Sequence, residues 1–494
     1  AGRSGQPCTH GAINMTVTRT RRRVLKEIAA TAGVIATGSG LSARVLAASR
    51  RDADVIVIGA GLAGLNTAIT LQDAGVSVLL LEGSNRVGGR VMTLDKVPGR
   101  PEAGGTEFGA GYARCLSMID RLGGFPMQKW LDTVELPFAL NFDGTLMPMS
   151  AWPDSPLNHM VGKERTAGGP LMGPFALTMM YAPRPSPLNG LDSWLLPEAA
   201  ALDISYGDYL KSQGASDAAL RFINNDLPTA DASTYSALWH HRLFRFQEFM
   251  GGIDGLNRIA TGASRFPEGI AKLLKREIAF NSHVTAIQAN KDGVEVKTRS
   301  GKSYRADRVV CAVPLPLLRE IAIEPALPAL QAAAVREIPY DNMVNVFFAV
   351  KEPYWKVDGL PGSLWTNQPM GRLYHFKSDQ GEYLWMNVRN PLSPWIKMKD
   401  ADVMQDATRT INRARPSTVG RIEALAVVNW SAYPWTRGHN VYRLPGQIAR
   451  YGNIVAEPHG RIHFAGDHTA VTMMGMEGAM ESGERVAVEV LQLT

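Results

Sequence analysis

The sequence has little cysteine and, beyond its first 50 residues, no long apolar run. Three cysteines in 494 residues (Cys8, Cys115 and Cys311) are too few and too scattered for a disulfide framework or a metal site, so no metal is expected. No integral membrane segment is expected either. The net charge is +6, but lysine and arginine are dispersed except at residues 21–23, which argues against nucleic-acid binding. What remains is an ordinary globular composition, long enough for two domains.

Residues 1–50 have a pattern of their own. Three arginines at 21–23 are followed by a weakly apolar, Ala/Gly-rich run over 28–41 and by small residues near 46–48. This order is typical of a twin-arginine (Tat-like) export signal that starts near Met15. The prediction is a periplasmic or secreted protein. An amphipathic basic arm is the alternative, and the protein would then be cytoplasmic.

The strongest pattern lies in residues 52–90. The β-branched run Val55–Ile58 predicts a buried parallel strand, and glycines follow it in the spacing G-x-G-x-x-G at the start of a predicted helix that runs to about residue 74. A second predicted strand over residues 76–81 ends in Glu82. Strand, glycines, helix, strand and acid in this order predict a dinucleotide-binding site. The alternative is an α/β unit with a tight turn and no ligand.

Each part of the glycine motif has a physical role. Gly59 allows the tight turn, Gly61 lets the backbone approach a pyrophosphate, and Gly64 lets the helix pack on the strand. The first helical turn, which includes Ala63, offers free N–H groups and the positive end of the helix dipole to the phosphates. Glu82 is placed to accept hydrogen bonds from a ribose hydroxyl.

A second glycine pair directly follows this unit. After Gly83, the residues Arg86, Gly88, Gly89 and Arg90 suit a diphosphate cofactor whose flavin end is reached by backbone. The stretch resembles the dinucleotide-binding and GG signatures of the flavin amine oxidase family, which includes monoamine, polyamine and L-amino-acid oxidases. The resemblance implies FAD as the cofactor.

The C-terminal stretch resembles another segment of the same family. A strand over Ile462–Phe464 leads to Gly466 and Asp467, which could reach the ribityl chain, and the run from Met476 starts a helix whose N-terminal amides would point at the flavin. The remaining cofactor residues that the resemblance implies are Gly105, Thr106, Glu107, Val284, Trp430, Glu477 and Ala479.

From residue 52 onward the resemblance implies an α/β fold. A Rossmann-like FAD-binding domain of the glutathione-reductase/amine-oxidase type is expected to be interleaved with an α+β substrate-binding domain. The FAD-binding domain is expected over 51–115, 250–320 and 421–494, and the substrate-binding domain over 116–249 and 321–420. Within the latter, a stretch rich in Pro, Gly and Met over 125–197 predicts long loops and short helices rather than a sheet. The segment that begins at Gly251 is predicted to open a helix.

Three departures from the monoamine oxidase pattern bear on chemistry. Asn345 stands where the resemblance places a flavin-facing lysine that is linked to oxygen reactivity. His439 stands in place of the cysteine that attaches flavin, so FAD is expected to be non-covalent. The two aromatic residues that flank the amine are missing, with Asn440 and Gly475 near their places, which counts against a simple arylalkylamine.

The substrate hypothesis rests on a carboxylate clamp. Arg114 lies near the place where L-amino-acid oxidases carry an arginine, Tyr374 could complete the clamp, Trp430 would wall the pocket, and Gly475 would leave room for a large side chain. The leading hypothesis is an L-amino-acid oxidase that gives a 2-oxo acid, ammonia and hydrogen peroxide, with molecular oxygen as acceptor. The alternatives are an amine oxidase or dehydrogenase acting on a non-carboxylated amine, and a flavoprotein-fold binding module without chemistry. The sequence leaves open whether the protein forms a homodimer.

Overall fold

A computed structural model describes residues 51–167, 188–224, 231–378 and 381–493, together with Leu177, Met180, Tyr181, Leu227 and Thr229. The segment with the predicted export signal lies outside the described residues. Within the described part of the chain, no helix is long and apolar enough to cross a membrane. No group of three or more His, Cys, Asp or Glu side chains is arranged there to hold a metal ion.

The strands fall into four sheets. In chain order they are β1 (Val55–Ile58), β2 (Val78–Leu81), β3 (Met127–Lys129), β4 (Ala139–Phe142), β5 (Thr145–Pro148), β6 (Asn257–Ile259), β7 (Val284–Asn290), β8 (Gly293–Thr298), β9 (Ser303–Ala306), β10 (Arg308–Cys311), β11 (Ala322–Glu324), β12 (Val344–Val350), β13 (Leu364–Thr366), β14 (Arg372–Ser378), β15 (Gly381–Val388), β16 (Ile422–Asn429) and β17 (Ile462–Phe464).

The α-helices connect these strands or pack on them. They are α1 (Leu62–Asp73), α2 (Ala113–Arg121), α3 (Tyr206–Ser212), α4 (Asp217–Asn224), α5 (Ala237–Phe249), α6 (Arg265–Lys272), α7 (Leu315–Leu318), α8 (Ala329–Glu337), α9 (Trp355–Asp358), α10 (Asp400–Ala414), α11 (Gln447–Tyr451) and α12 (Gly475–Leu491).

A four-stranded parallel sheet forms the centre of the dinucleotide-binding part. Its order is β17-β10-β1-β2, with Val55 opposite both Arg308 and Val78. All four residues of β1 are buried, which explains its continuous apolar run. The predicted strand and helix are confirmed, with β2 starting two residues later than expected. The parallel sheet and its helices agree with the predicted Rossmann-like α/β fold.

Helix α12, near the C-terminus, packs closely on α1. A Cβ at Gly483 would lie 2.5 Å from the carbonyl oxygen of Ala63, so the close approach depends on glycine. Asn66 Nδ2 donates to the carbonyl oxygen of Met480 at 2.6 Å, and Thr67 Oγ1 donates to that of Gly483 at 3.2 Å. The two ends of the described chain therefore form one layer on the parallel sheet.

A seven-stranded, mostly antiparallel sheet lies in the second part of the fold. Its order is β16-β12-β15-β14-β13-β4-β5. The prediction of loops rather than a sheet over 125–197 is wrong at β3, which pairs with β6, and at β4 and β5; residues 168–176, 178, 179 and 182–187 of that stretch lie outside the described residues. Strands β4 and β5 form a hairpin with its turn at Asp143 and Gly144, both at positive φ, and β4 also pairs with the distant β13. Strand β16 also belongs to this sheet, although residues 421–494 were assigned to the FAD-binding domain.

Two smaller sheets complete the structure, with orders β11-β7-β8-β9 and β3-β6. The predicted helix opening at Gly251 is wrong. Gly251 and Gly252 both have positive φ, at 85° and 64°, and two successive left-handed residues cannot start an α-helix. A short 3-10 helix, Ile253–Gly255, and then β6 follow instead.

Candidate active site

One cavity of about 520 Å³ opens at the carboxyl ends of the parallel strands. Residues within two positions of the ends of these strands supply one wall: Gly59 after β1, Glu82 after β2, Ala312 after β10 and Gly466 after β17. Strands β14 and β15 of the seven-stranded sheet supply another wall, through Arg372, Tyr374, Trp385 and Asn387. Carboxyl ends of parallel strands are where open α/β sheets bind their ligands.

The first glycine motif forms the strand-to-helix turn that faces this cavity. Gly59 has φ of 103°, and a Cβ at Gly64 would overlap the carbonyl oxygen of Gly59, so both positions need glycine. A Cβ on the cavity-lining Gly61 would meet nothing within 4 Å and would project into open space. The backbone at Gly61 is thus bare where a phosphate group would approach.

Glu82 orders the turn from the neighbouring strand. Its carboxylate accepts hydrogen bonds from the backbone N–H of Ala60 at 2.7 Å and of Ser84 at 2.8 Å. A carboxylate has about four acceptor positions, so two remain for ribose hydroxyls. Gly83 is covered by Trp435, whose ring would collide with a Cβ there. Trp435 lines the cavity with its ring 5.3 Å from that of His283, and sequence reasoning missed it.

The second glycine pair is held by its own arginine. Arg86 Nη1 donates to the carbonyl oxygens of Val87 at 3.1 Å and Val91 at 3.0 Å, and Nη2 donates to that of Gly89. Gly88 and Gly89 both have positive φ, at 98° and 56°. Arg86 Nε also donates to the hydroxyl of Tyr433 at 3.3 Å, so the guanidinium orders the loop and all three of its nitrogens are engaged by protein groups.

Arg90 and Asp467 join the two predicted signatures across 377 residues of sequence. Arg90 Nη1 donates to Asp467 at 3.2 Å and to the carbonyl oxygen of His439 at 2.6 Å, and Nη2 makes a second bond to the carboxylate. Burial by itself would raise the pKa of Asp467, but the charge of Arg90 lowers it on balance. The carboxylate is thus held ionised at the carboxyl end of the parallel sheet.

The start of α12 presents two side chains that are three residues apart to the cavity. Met476 and Ala479 line it, as does Gly475, whose φ is 58°. Glu477 is fully buried and turned away, and accepts the backbone N–H groups of Arg114 and Cys115, each at 3.0 Å. Glu477 therefore accepts the free backbone N–H groups at the start of α2. The sequence predicts that Glu477 contacts the cofactor, but in the structure it does not line the cavity.

Arg114 also lies outside the cavity lining. Its Nη1 lies 3.4 Å from Glu477, and its Nε donates to Glu484. A guanidinium already committed to two carboxylates has no geometry for a substrate carboxylate. The clamp role predicted for Arg114 has no support in the structure.

Asn345 and Trp430 support the cavity wall from behind. Both are fully buried, and both donate to the carbonyl oxygen of Ala103, Asn345 at 2.9 Å and Trp430 at 2.6 Å. Asn345 Oδ1 accepts from Trp385 Nε1 at 3.0 Å and from Asn387 Nδ2 at 3.2 Å. The two predicted site residues thus position others that line the cavity, and neither lines it itself.

The remaining predicted residues lie in the lining, among them Gly105, Thr106, Glu107, Val284 and Tyr374. The hydroxyl of Tyr374 accepts a hydrogen bond from Arg372 at 3.0 Å, and its ring stacks on Trp385 at 5.2 Å. Tyr112 was not predicted, yet it lines the cavity with its hydroxyl 3.6 Å from the position of a Cβ on Gly475. Tyr112, which directly follows Gly111, thus fills part of the space that Gly475 leaves.

The fold and the cavity together define a dinucleotide-binding protein. Residues 62–491 match the family model described as flavin containing amine oxidoreductase. The chain is 27% identical to the flavin-containing amine oxidase of Danio rerio over 461 residues, covering 84% of this chain and 81% of the relative. To the human flavin-containing amine oxidase B it is 25% identical over 456 residues, covering 84% and 82%.

Solved structures show the same fold. Cyclohexylamine oxidase from Brevibacterium oxydans has a TM-score of 0.72 at 22% identity, and putrescine oxidase bound to putrescine has 0.70 at 23%. The alignments cover 90% and 89% of this chain, and 99% of each of those chains. The chain belongs to the flavin-containing amine oxidoreductase family.

The residues present fit FAD. Bare backbone at Gly61 would receive the diphosphate, Glu82 would hold a ribose, and Asp467 and the amides at the start of α12 would meet the flavin half. When bound, the flavin supplies a two-electron acceptor, and the protein supplies its orientation and electrostatics.

Proposed function

We propose that this protein is an FAD-dependent amine oxidase or dehydrogenase that acts on a non-carboxylated amine. A hydride would pass from the carbon next to the neutral amine nitrogen to bound FAD, and water would hydrolyse the resulting imine to a carbonyl product and an amine or ammonia. The protein's task is to hold that carbon beside the flavin. This reading replaces an L-amino acid as the leading substrate.

The observation that carries the proposal is the state of the cationic groups in the cavity. Among the described residues, four arginines line it, and each already donates to protein groups. Arg86 is bonded to backbone carbonyls, Arg90 to Asp467, Arg389 to Asp341, and Arg372 to the hydroxyl of Tyr374. An α-carboxylate is recognised best by an uncommitted, bidentate guanidinium, and Arg114 does not reach the cavity.

The neighbours in fold agree with this choice. The two similar enzymes are named for putrescine and cyclohexylamine, and neither amine carries a carboxylate. The loss of an aromatic pair at Asn440 and Gly475 removes the family pattern for arylalkylamines, while Tyr112, Tyr374 and Trp385 still give the cavity aromatic walls. A substrate with an apolar body and one or more amines fits these walls.

An L-amino acid is the second candidate, because Arg372 and Tyr374 lie side by side in the lining. A carboxylate could displace the hydroxyl of Tyr374 from Arg372 and take donors from both. If amino acids are the substrates, Arg372→Gln will raise their KM strongly and leave that of amines unchanged.

The test is anaerobic reduction of bound flavin by matched pairs. Phenethylamine and L-phenylalanine, 3-methylbutylamine and L-leucine, and cadaverine and L-lysine each differ by one α-carboxylate. The proposal expects at least one amine to bleach the visible flavin absorbance while its amino acid does not. Bleaching by the amino acids alone would establish the second candidate.

The electron acceptor and the location follow from weaker features. Asn345 stands where the resemblance places a flavin-facing lysine. We therefore propose that oxygen reoxidises the reduced flavin slowly and that an artificial electron acceptor reoxidises it faster. The predicted export signal in residues 1–50 gives a proposed location outside the cytoplasm. Fractionation of cells that carry the wild type or Arg21→Lys/Arg22→Lys, with the protein followed by immunoblot, tests that location.

A further inference from the structure

One carboxylate in the cavity lining has no ion-pair partner among the described residues. Within the described ranges, three carboxylates line the cavity: Glu82, Glu107 and Asp467. Glu82 accepts two backbone N–H groups, and Asp467 is paired with Arg90. The Glu107 carboxylate accepts from its own backbone N–H, and no described cation forms an ion pair with it.

The protein environment compensates this charge poorly. Burial raises the pKa of Glu107, and the opposing charge is that of Arg258, on β6. Arg258 is itself buried, lies outside the cavity lining, and acts also on the buried carboxyl of Glu102. Because one guanidinium is shared by two carboxyl groups, the charge of Glu107 is undercompensated, and a cation that enters the cavity beside it would favour the ionised carboxylate.

Glu107 and Tyr112 both line the cavity near the first turn of α12. The charge of Glu107 acts on Tyr112, whose ring stacks on Phe246 at 6.0 Å and whose hydroxyl is 3.6 Å from the Cβ position of Gly475. Two residues before Glu107, a Cβ on Gly105 would lie 2.9 Å from Met476 Sδ. Carboxylate and ring therefore flank the end of the cavity that borders α12.

An anion and an aromatic side chain at one end of a cavity are complementary to an organic cation. We propose that Glu107, with Tyr112, is the specificity residue of this site, and that it binds the cationic ammonium group of the arriving substrate, whose reacting nitrogen loses its proton to water before the hydride leaves. This inference rests on the proposed function and adds the group that selects the substrate. The same charge repels a carboxylate next to the amine, which gives a reason for discrimination against α-amino acids.

The experiment uses the oxidised, FAD-loaded protein and a cation that cannot be oxidised. Benzyltrimethylammonium and its uncharged carbon isostere are titrated against the visible flavin spectrum of the wild type and Glu107→Gln. We expect the Kd of the cation to rise at least ~10-fold in Glu107→Gln, with the Kd of the isostere unchanged. Glu107→Asp keeps the charge and should keep the preference for the cation.

Glu102→Gln is the matched control. It removes a carboxyl group five residues earlier in the same segment, bonded to Thr93 and Ala263 and outside the cavity lining, and should leave the preference unchanged. Equal Kd values for the cation in the wild type and Glu107→Gln overturn the inference. An equal loss of cation and isostere in Glu107→Gln, which would indicate a structural role, also overturns it.

Failure of the proposed function gives a different result. In that case no amine bleaches the wild-type flavin under anaerobic conditions, while the titration still decides whether Glu107 binds a cation. Conversely, bleaching by amines with an unchanged cation Kd in Glu107→Gln keeps the function and rejects the role of Glu107.

Discussion

Glu102 gives the most quantitative prediction of the structure. Its buried side chain accepts hydrogen bonds from Thr93 Oγ1 and from the backbone N–H of Ala263, each at 2.8 Å, directly before the Gly104–Gly105 segment of the cavity wall. Burial is the main cause that raises its pKa from 4.5 to about 7, and those two hydrogen bonds offset it only in part. The ionised form of Glu102 therefore destabilises the folded state.

The magnitude follows from linkage. A rise of the pKa from 4.5 to about 7 corresponds to about 3 kcal/mol, at ~1.4 kcal/mol per pKa unit. The folded pKa is the higher one, so the folded state binds the proton more tightly. The contribution of the protonated Glu102 to the free energy of unfolding is fully present below pH 4.5. It falls as the pH rises toward the folded pKa of about 7, and above that pH it is lost.

Glu102→Gln tests this, because glutamine resembles the protonated acid in shape and lacks the charge. The variant should match the wild type in urea unfolding at about pH 4 and exceed its stability by about 3 kcal/mol at about pH 8.5. A difference between the two proteins that stays constant with pH would show that Glu102 titrates normally, and would refute the reasoning.

Three further predictions concern the cofactor and the substrate. Gly61→Leu should lose FAD but keep the stability of the apoprotein, because its side chain enters the open cavity. Gly64→Ala should destabilise the fold by several kcal/mol, because its Cβ overlaps the Gly59 carbonyl. Flavin content and thermal unfolding check both variants. Arg114→Ala should leave KM unchanged within about twofold for amines and amino acids alike, because its guanidinium is bound to glutamates outside the cavity; a selective rise for amino acids in steady-state kinetics would restore the clamp. Acid precipitation should release all FAD to the supernatant, since His439 replaces the attaching cysteine; yellow colour retained in the pellet would show a covalent link.

The local parts of the cofactor site were predictable from sequence. Strand β1, the glycine turn and the start of α1 depend on neighbours within about ten residues, and the chain shows their pattern directly. Helical geometry would also have corrected one residue, because Met476 and Ala479 are three apart and share a face, while Glu477 is turned away by about 100°.

The parts that failed depend on distant partners. Arg114 looked like a carboxylate ligand in a shifted register, but its partners Glu477 and Glu484 come from α12, more than 360 residues later. Trp435 and Tyr112 reach the cavity by tertiary packing, against Gly83 and over Gly475. No local spacing marks such contacts, so sequence alone could not find them.

The most direct test of the function is the rate of anaerobic flavin reduction by 3-methylbutylamine and L-leucine, followed by stopped-flow absorbance in the same preparation. If 3-methylbutylamine proves inert, cadaverine with L-lysine is the pair to compare. The structure predicts reduction by the amine at a rate at least ~100-fold above that by its amino acid, as expected when an added carboxylate meets Glu107 and no uncommitted arginine. Faster reduction by the amino acid would contradict the assignment to non-carboxylated amines.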